Sequence, residues 1–190
     1  MQSHLLRKMA WRLPALADIA VLRFNTRGTA SHDGTSEGTF DNGYLEGKDL
    51  DAAIDWATAA GLPAPWLVGW SFGTDVILRH GNRPPVQGAI LLSPPLRTIT
   101  EAELAAWNES DRPVIALIPE HDEFLPPDEA RERFKPLAKA QLIEVASAKH
   151  LWTGEPYVRR VLNEIVQVVA PDKAPLPSTW EGPMTKWSDL

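Results

Sequence analysis

Short apolar runs alternate with amphipathic stretches along most of the chain. Each run is bounded by Gly, Pro or charged residues, and the stretches between them carry apolar residues at helical spacing. This alternation predicts βαβ units and therefore an α/β fold, a mostly parallel sheet with helices on both faces. The predicted strands are residues 19–24, 66–70, 89–92, 114–118 and 141–145.

The helical spacing is clearest in residues 45–60. Leu50, Ile54 and Ala57 fall on one face there, and Gly61 is expected to end the helix. The other predicted helices are residues 5–13, 72–80, 128–138 and 157–169.

Two segments lack this periodicity. Residues 26–43 are rich in Gly, Ser, Thr and Asp, which predicts a long loop. Residues 171–190 are rich in Pro, which favours an extended appendage. We therefore expect one α/β domain over residues 1–170 and a Pro-rich C-terminal extension over 171–190. Part of the extension is expected to dock on the domain through its apolar residues, Leu176, Trp180 and Trp187.

Composition narrows the class of protein. With 190 residues, 44% hydrophobic and 23% charged, the chain fits one globular domain. The net charge of −6 without a basic block argues against nucleic acid or an anionic membrane as a partner. The absence of cysteine excludes disulfides and thiolate catalysis. No N-terminal apolar stretch is long enough for a signal peptide or membrane span, so a cytoplasmic location is expected.

The segment Gly69-Trp70-Ser71-Phe72-Gly73 matches the pattern Gly-x-Ser-x-Gly between a predicted strand and a predicted helix. This is the context of a nucleophile elbow, a sharp turn that holds its serine in strained backbone geometry. Glycines are expected on either side because a Cβ there would collide with the neighbouring strand or helix. The Phe72 N–H, at the start of the helix, would be one oxyanion donor. The alternative is a Gly-rich turn with a surface serine.

A catalytic serine needs a base that is itself held by a third group. In elbow-containing sheets the acid and then the histidine follow later strands. Asp122 follows predicted strand 114–118, and His150 is the one histidine that follows the last predicted strand. Both would lie with Ser71 at the carboxyl edge of the sheet, where open α/β sheets bind ligands. Nearby carboxylates remain alternatives for the acid: Glu120, Glu123 and Asp128.

Other residues near the predicted site have less specific interpretations. Asp75 is interpreted as a carboxylate that stabilises the first turn of its helix. Core packing is the default for the apolar side chains, but four are candidates for substrate binding: Trp70, Leu96, Phe124 and Trp152. The segment between the third and fourth predicted strands holds a capping box, Thr100 to Glu103, and is too short for a large cap domain. An uncapped site open to small esters is expected.

These motifs resemble the α/β-hydrolase superfamily, and the similarity runs over residues 5–169. Residues 21–28, VLRFNTRG, and 38–43, GTFDNG, are similar to the group of small, dienelactone-hydrolase-like bacterial hydrolases. The resemblance implies the α/β-hydrolase fold and hydrolysis of carboxylic esters or related acyl substrates without a cofactor or metal. The triad would be Ser71, Asp122 and His150. Dienelactone hydrolases use a cysteine nucleophile, so Ser71 argues against that particular activity.

The N-terminus departs from this family. The family has strands before its first helix, and a loop between them supplies one of the two oxyanion N–H groups. Here the sequence starts at that helix, so an N-terminally truncated domain is expected, and residues 2–4 are its only remnant of the loop. Loss of one donor typically costs a hundred- to a thousand-fold in rate. This favours an alternative hypothesis, a non-catalytic protein of the same fold that binds a ligand or partner.

Overall fold

A parallel sheet forms the centre of the protein in the computed structural model, which describes residues 3–31, 34–62 and 64–179. In chain order the strands are β1 (Ala30–Ser31), β2 (Gly34–Thr35), β3 (Trp66–Trp70), β4 (Gly88–Leu92), β5 (Val114–His121) and β6 (Gln141–Lys149). The central sheet has four strands, which are all parallel and lie in the order β3-β4-β5-β6. The two very short strands, β1 and β2, form a separate antiparallel ladder.

Helices connect these strands and cover the sheet, as predicted. The capping box at Thr100 is confirmed, since its side chain and that of Glu103 each accept from the other's backbone N–H. The helix predicted over residues 128–138 ends early, at Arg133, because Pro136 disfavours helical geometry at the residue before it. The helices are α1 (His4–Ala17), α2 (Glu46–Ala59), α3 (Phe72–His80), α4 (Glu101–Ala105), α5 (Pro127–Arg133) and α6 (Glu155–Val169).

The core lies on both faces of the sheet. β4 shows this most clearly, because all its residues are buried and successive side chains point to opposite faces. Leu91 packs with residues of α2, α3 and α5, whereas Ile90 and Leu92 pack with residues of α1 and α6. The sheet is therefore an inner layer between two layers of helices, and its strand ends, rather than its faces, are open to ligands.

The predicted strand at residues 19–24 is wrong. Side-chain exposure does alternate there: Ile19 and Val21 are half-buried against the α1–α6 core, while Leu22 and Phe24 are 44% and 38% exposed. The segment nevertheless joins no described strand, and direct pairing with β3 does not occur. Alternating side-chain exposure shows that one face of an extended chain is covered, but a β-strand also needs a neighbouring strand to which it is hydrogen-bonded.

The start of the C-terminal extension contacts the domain through Leu176. This side chain is 3% exposed. Its N–H donates to Asn163 Oδ1 at 3.0 Å, and its carbonyl accepts from Arg159 at 3.0 Å, so it lies against α6. Trp180 and Trp187 lie outside the described residues. The domain boundary at residue 170 stays a prediction.

Within residues 3–31, 34–62 and 64–179, no helix combines the length and the apolarity needed to span a bilayer.

Candidate active site

Ser71 occupies the sharp turn between β3 and α3. Its backbone has φ 51° and ψ −122°, a sparsely populated conformation for a residue with a side chain. A Cβ on Gly69 would lie 2.7 Å from the Gly73 carbonyl oxygen, so glycine at position 69 is required by packing, as expected. The same expectation is wrong for Gly73, because a Cβ there would meet nothing within 4 Å.

Three hydrogen bonds hold the backbone of Ser71. Its N–H donates to the Leu92 carbonyl at 2.9 Å, which ties the turn to the end of β4. Its carbonyl accepts from the Thr74 N–H at 2.8 Å and from the Thr74 hydroxyl at 2.7 Å. The Ser71 hydroxyl does not cap the helix. The strained backbone is thus fixed while the hydroxyl remains available for another partner.

That partner is His150. Its Nε2 lies 2.9 Å from Ser71 Oγ, and its Nδ1 lies 3.0 Å from both carboxylate oxygens of Asp122. The side chains of His150 and Asp122 are 4% and 1% exposed. The carboxylate is also held by backbone, because Asp122 Oδ1 accepts from the N–H groups of Phe124 at 2.9 Å and Leu125 at 3.4 Å. The structure therefore brings the three sequence-predicted residues together in one chain of hydrogen bonds.

The strand ends explain this convergence. β5 ends at His121 and β6 ends at Lys149, so Asp122 and His150 are the first residues beyond two adjacent parallel strands. The carboxyl ends of parallel strands meet at one edge of a sheet. Neighbouring carboxylates contact other groups, since Glu120 accepts from the Ser147 N–H and Asp128 pairs with Arg131.

The backbone of His150 is anchored from two sides. Its carbonyl accepts from the Trp70 indole N–H at 3.0 Å and from the Ser93 hydroxyl at 3.1 Å. Ser93 is buried, has φ 49° and follows β4 directly. Its position directly after a strand is a sequence signal by which this site residue could have been found. Both contacts orient the imidazole without touching the three reactive side chains.

Solved structures share this fold. An α/β serine hydrolase homologue from Coxiella burnetii superposes with a TM-score of 0.73 at 22% identity, over 90% of this chain and 78% of its own. A serine hydrolase without lid from Xanthomonas campestris gives 0.72 at 26% identity, over 94% and 77%. The chain has the α/β-hydrolase fold. Another structure of this fold, Est1E from Butyrivibrio proteoclasticus with ferulic acid bound, gives 0.69 at 15% identity, over 86% and 81%.

Comparison by sequence is less informative than comparison by structure. No model of a known protein family matches the chain. An uncharacterized protein from Rickettsia prowazekii is 30% identical over 124 residues, which are 64% of this chain and 50% of that protein. The chain thus spans about half the length of this curated relative.

The segment in which α/β-hydrolases can carry a lid is short here. Between β4 and β5 it forms α4 and a 3₁₀ turn at Ala106–Glu109. Trp107 of that turn is fully buried, and its indole donates to the Leu78 carbonyl at 2.8 Å. This segment packs on the domain beside α3 and, as expected, is not a large cap.

Two residues predicted to bind substrate lie inside the hydrolase core. Leu96 and Trp152 are both 0% exposed and belong to the core clusters on opposite faces of the sheet. A ligand arriving from solvent does not reach them, so we leave them out of the proposed substrate surface. Trp70 is half-buried, and its indole N–H is engaged by His150.

Phe124, the fourth predicted residue, does lie at the surface. It is 40% exposed, and its ring meets the His150 ring edge-on with 4.5 Å between centroids. Two further residues at this rim were missed from sequence. Phe40, from the long loop, is 51% exposed, and its ring is tilted by 54° against that of Phe72, with 5.0 Å between centroids. The Arg97 guanidinium lies 4.4 Å from the Phe124 ring. Neither carries a sequence signal, because only tertiary folding places them there.

The amino end of α1 also reaches this region. His4 Nε2 lies 3.2 Å from the Trp152 carbonyl oxygen, and its ring meets Trp70 edge-on at 6.4 Å. The prediction that residues 2–4 are a remnant of the oxyanion loop concerns Gln2 as well, which lies outside the described residues.

Proposed function

We propose that this protein is a serine hydrolase that cleaves carboxylic esters or related acyl substrates. The observation that carries the proposal is the 2.9 Å contact between Ser71 Oγ and His150 Nε2 at a strained strand-to-helix turn. A hydroxyl becomes a useful nucleophile when an adjacent base can take its proton. Similarity to proteins named as serine hydrolases, and to Est1E, which was solved with ferulic acid bound, supports the same reaction class.

In the proposed mechanism, His150 removes the proton from Ser71 as Oγ bonds to the acyl carbon. Asp122 accepts a hydrogen bond from the Nδ1–H of His150, holds the imidazole in the tautomer that leaves Nε2 as the acceptor, and stabilises the imidazolium. The proton then passes to the leaving alcohol as the ester C–O bond breaks. Water attacks the acyl-enzyme by the same route, with His150 again as base, and the acid is released.

Negative charge develops on the acyl oxygen during each attack. The Phe72 N–H is the first of α3 and belongs to the turn of a helix whose N–H groups lack intrahelical acceptors. We propose it as an oxyanion donor. Each such donor is typically worth a hundred- to a thousand-fold in rate, so the overall rate depends on how many donors reach the oxyanion.

The proposed substrate is a small or exposed ester. The site has no large cap, and its rim is formed by exposed aromatic rings, namely Phe40 and Phe124. Such a rim suits short acyl or aromatic groups better than a long chain that must be enclosed. A cytoplasmic location and the absence of nucleic-acid or membrane partners remain predictions.

Fluorophosphonate labelling tests the proposal directly, because the probe reacts with activated serines. We expect wild type to be labelled and to hydrolyse p-nitrophenyl butyrate. Ser71→Ala should not be labelled and should lose about a million-fold in kcat, as in other serine hydrolases. Ser178→Ala removes an exposed serine and is the matched control. Equal labelling of wild type and Ser71→Ala, or a folded wild type that neither labels nor hydrolyses esters, would show that the non-catalytic alternative is correct.

A further inference from the structure

Arg97 is an exposed cation beside the proposed active site. It follows β4 and lies over the ring of Phe124, with 4.4 Å from the guanidinium carbon to the ring centroid. The same ring lies 4.5 Å from the ring of His150. Among the residues that the structure describes, no carboxylate forms an ion pair with Arg97. The guanidinium therefore has an aromatic support and no internal anion.

The backbone that carries Arg97 is fixed on both sides. The buried carboxylate of Asp75 accepts from the Thr98 N–H at 3.2 Å and from the Thr98 hydroxyl at 3.0 Å. On the other side, the Leu96 carbonyl accepts from Arg133 at 2.7 Å, and Leu96 itself has φ 48°. The backbone of Arg97 is therefore held in a defined position, from which its side chain extends.

Asp75 thereby has a second role besides the one expected at the start of α3. It is 1% exposed, and burial raises the pKa of its carboxyl group. Burying a carboxylate is costly unless hydrogen bonds hold it, and here those bonds go to the residue next to Arg97. The fold thus uses a buried acid to hold the segment that presents the arginine.

The chemistry of this pair indicates its ligand. A guanidinium over an aromatic face interacts through its plane and keeps its N–H donors for another group. Carboxylates match that fork of donors, often with two parallel hydrogen bonds. The protein as a whole has a net charge of −6, so an anion would be attracted by this local site rather than by the overall field.

We propose that Arg97 and Phe124 form a subsite for a free carboxylate on the substrate. The substrate class is then an ester that carries a second, ionised carboxyl group a few carbons from the scissile carbonyl. This inference rests on the proposed hydrolase function for its catalytic consequence, but the binding it predicts does not need turnover.

The kinetic test compares p-nitrophenyl hydrogen adipate with its neutral match, p-nitrophenyl methyl adipate. We measure the ratio of their kcat/KM values in wild type, Arg97→Gln and Arg97→Lys. The ratio should fall about fivefold in Arg97→Gln, the scale of a partly exposed ion pair. It should fall by less in Arg97→Lys, which keeps the charge but loses the planar fork of donors. Arg83→Gln is the control, since Arg83 lies between α3 and β4 at the opposite edge of the sheet and loses the same charge.

The binding test removes turnover. Monomethyl adipate and dimethyl adipate are titrated into Ser71→Ala and into Ser71→Ala/Arg97→Gln, with Kd measured by calorimetry. We expect monomethyl adipate to bind the single variant about fivefold more tightly than the double variant, and dimethyl adipate to show no such difference. If Arg97→Gln changes neither the ratio of the kcat/KM values nor the Kd of monomethyl adipate, the proposed subsite is wrong. If wild type hydrolyses no ester but the difference in Kd is observed, the proposed hydrolase function is wrong and the subsite stands.

Discussion

The carboxyl edge of the sheet and the extended segment at residues 19–24 are ordered by different means. At the edge, hydrogen bonds from β3, β4 and the turn into α3 fix the backbones of Ser71 and His150. In residues 19–24, Ile19 and Val21 pack by one face on the α1–α6 core, and the Ile19 N–H donates to the Leu13 carbonyl at 3.3 Å. Hydrogen bonds are directional and set positions to a fraction of an ångström, whereas apolar packing is not directional. Substitutions at the edge should therefore lower the catalytic rate, and substitutions in the segment should lower the free energy of unfolding.

After Ser71→Ala, the largest expected effect is that of Asp122→Asn at the edge. The amide cannot act as the anion that holds the His150 tautomer, and in a comparable triad this change costs about ten-thousand-fold in kcat. We expect a loss of that order with p-nitrophenyl butyrate and a small change in Tm. Glu123→Gln, one residue further along and exposed, is the matched control. A kcat within tenfold of wild type would contradict the role of Asp122.

The extended segment should respond in the opposite way. Val21→Ala removes two methyl groups from a half-buried side chain and should lower the free energy of unfolding by about 1 kcal/mol. Leu22→Ala, at the neighbouring and 44% exposed position, should change it by less than about 0.5 kcal/mol. Urea unfolding measures both, and ester hydrolysis should stay near wild type. Equal losses for the two variants would show that the alternation of exposure does not describe the segment.

The same contrast explains how much of the fold could be predicted from the sequence. Strands β3, β4 and β5 were found because their apolar runs are partly or fully buried in the sheet and have neighbours to pair with. Residues 19–24 have an equally strand-like pattern, but a pattern of side chains carries no information about a hydrogen-bonding neighbour. Predicted bounds for β5 and β6 stopped short because both strands continue past their apolar runs, with Pro119, Glu120 and His121 in β5 and with small or charged residues, 146–149, in β6.

The candidate site, too, could be predicted only in part from the sequence. Ser71, Asp122 and His150 could be predicted because each follows a strand in a fixed chain order. The contacts that orient and surround them could not be found, because Arg97 and Phe40 reach the rim only through tertiary packing. Leu96 was misplaced for the same reason, since a residue after a strand can point into the core as readily as toward solvent.

The smallest effect concerns the contact between α1 and α6, on which the extended segment depends. Hydrogen bonds from Arg12 and then Lys8 lower the pKa of Glu155 to about 2. A carboxyl group whose pKa is lower in the folded state stabilises the fold above its ordinary value of 4.5, and loses that contribution as pH falls toward 2. Because the Glu155 side chain is 54% exposed, solvent screening keeps the contribution below about 1 kcal/mol.

Glu155→Gln should thus be slightly less stable than wild type in urea at pH 7, and the difference should shrink between pH 4.5 and pH 3. Glu164→Gln, which removes an ion pair within α6 alone, should leave the contact between the helices intact. A difference that is constant with pH would mean that packing, and not this ion pair, joins the two helices.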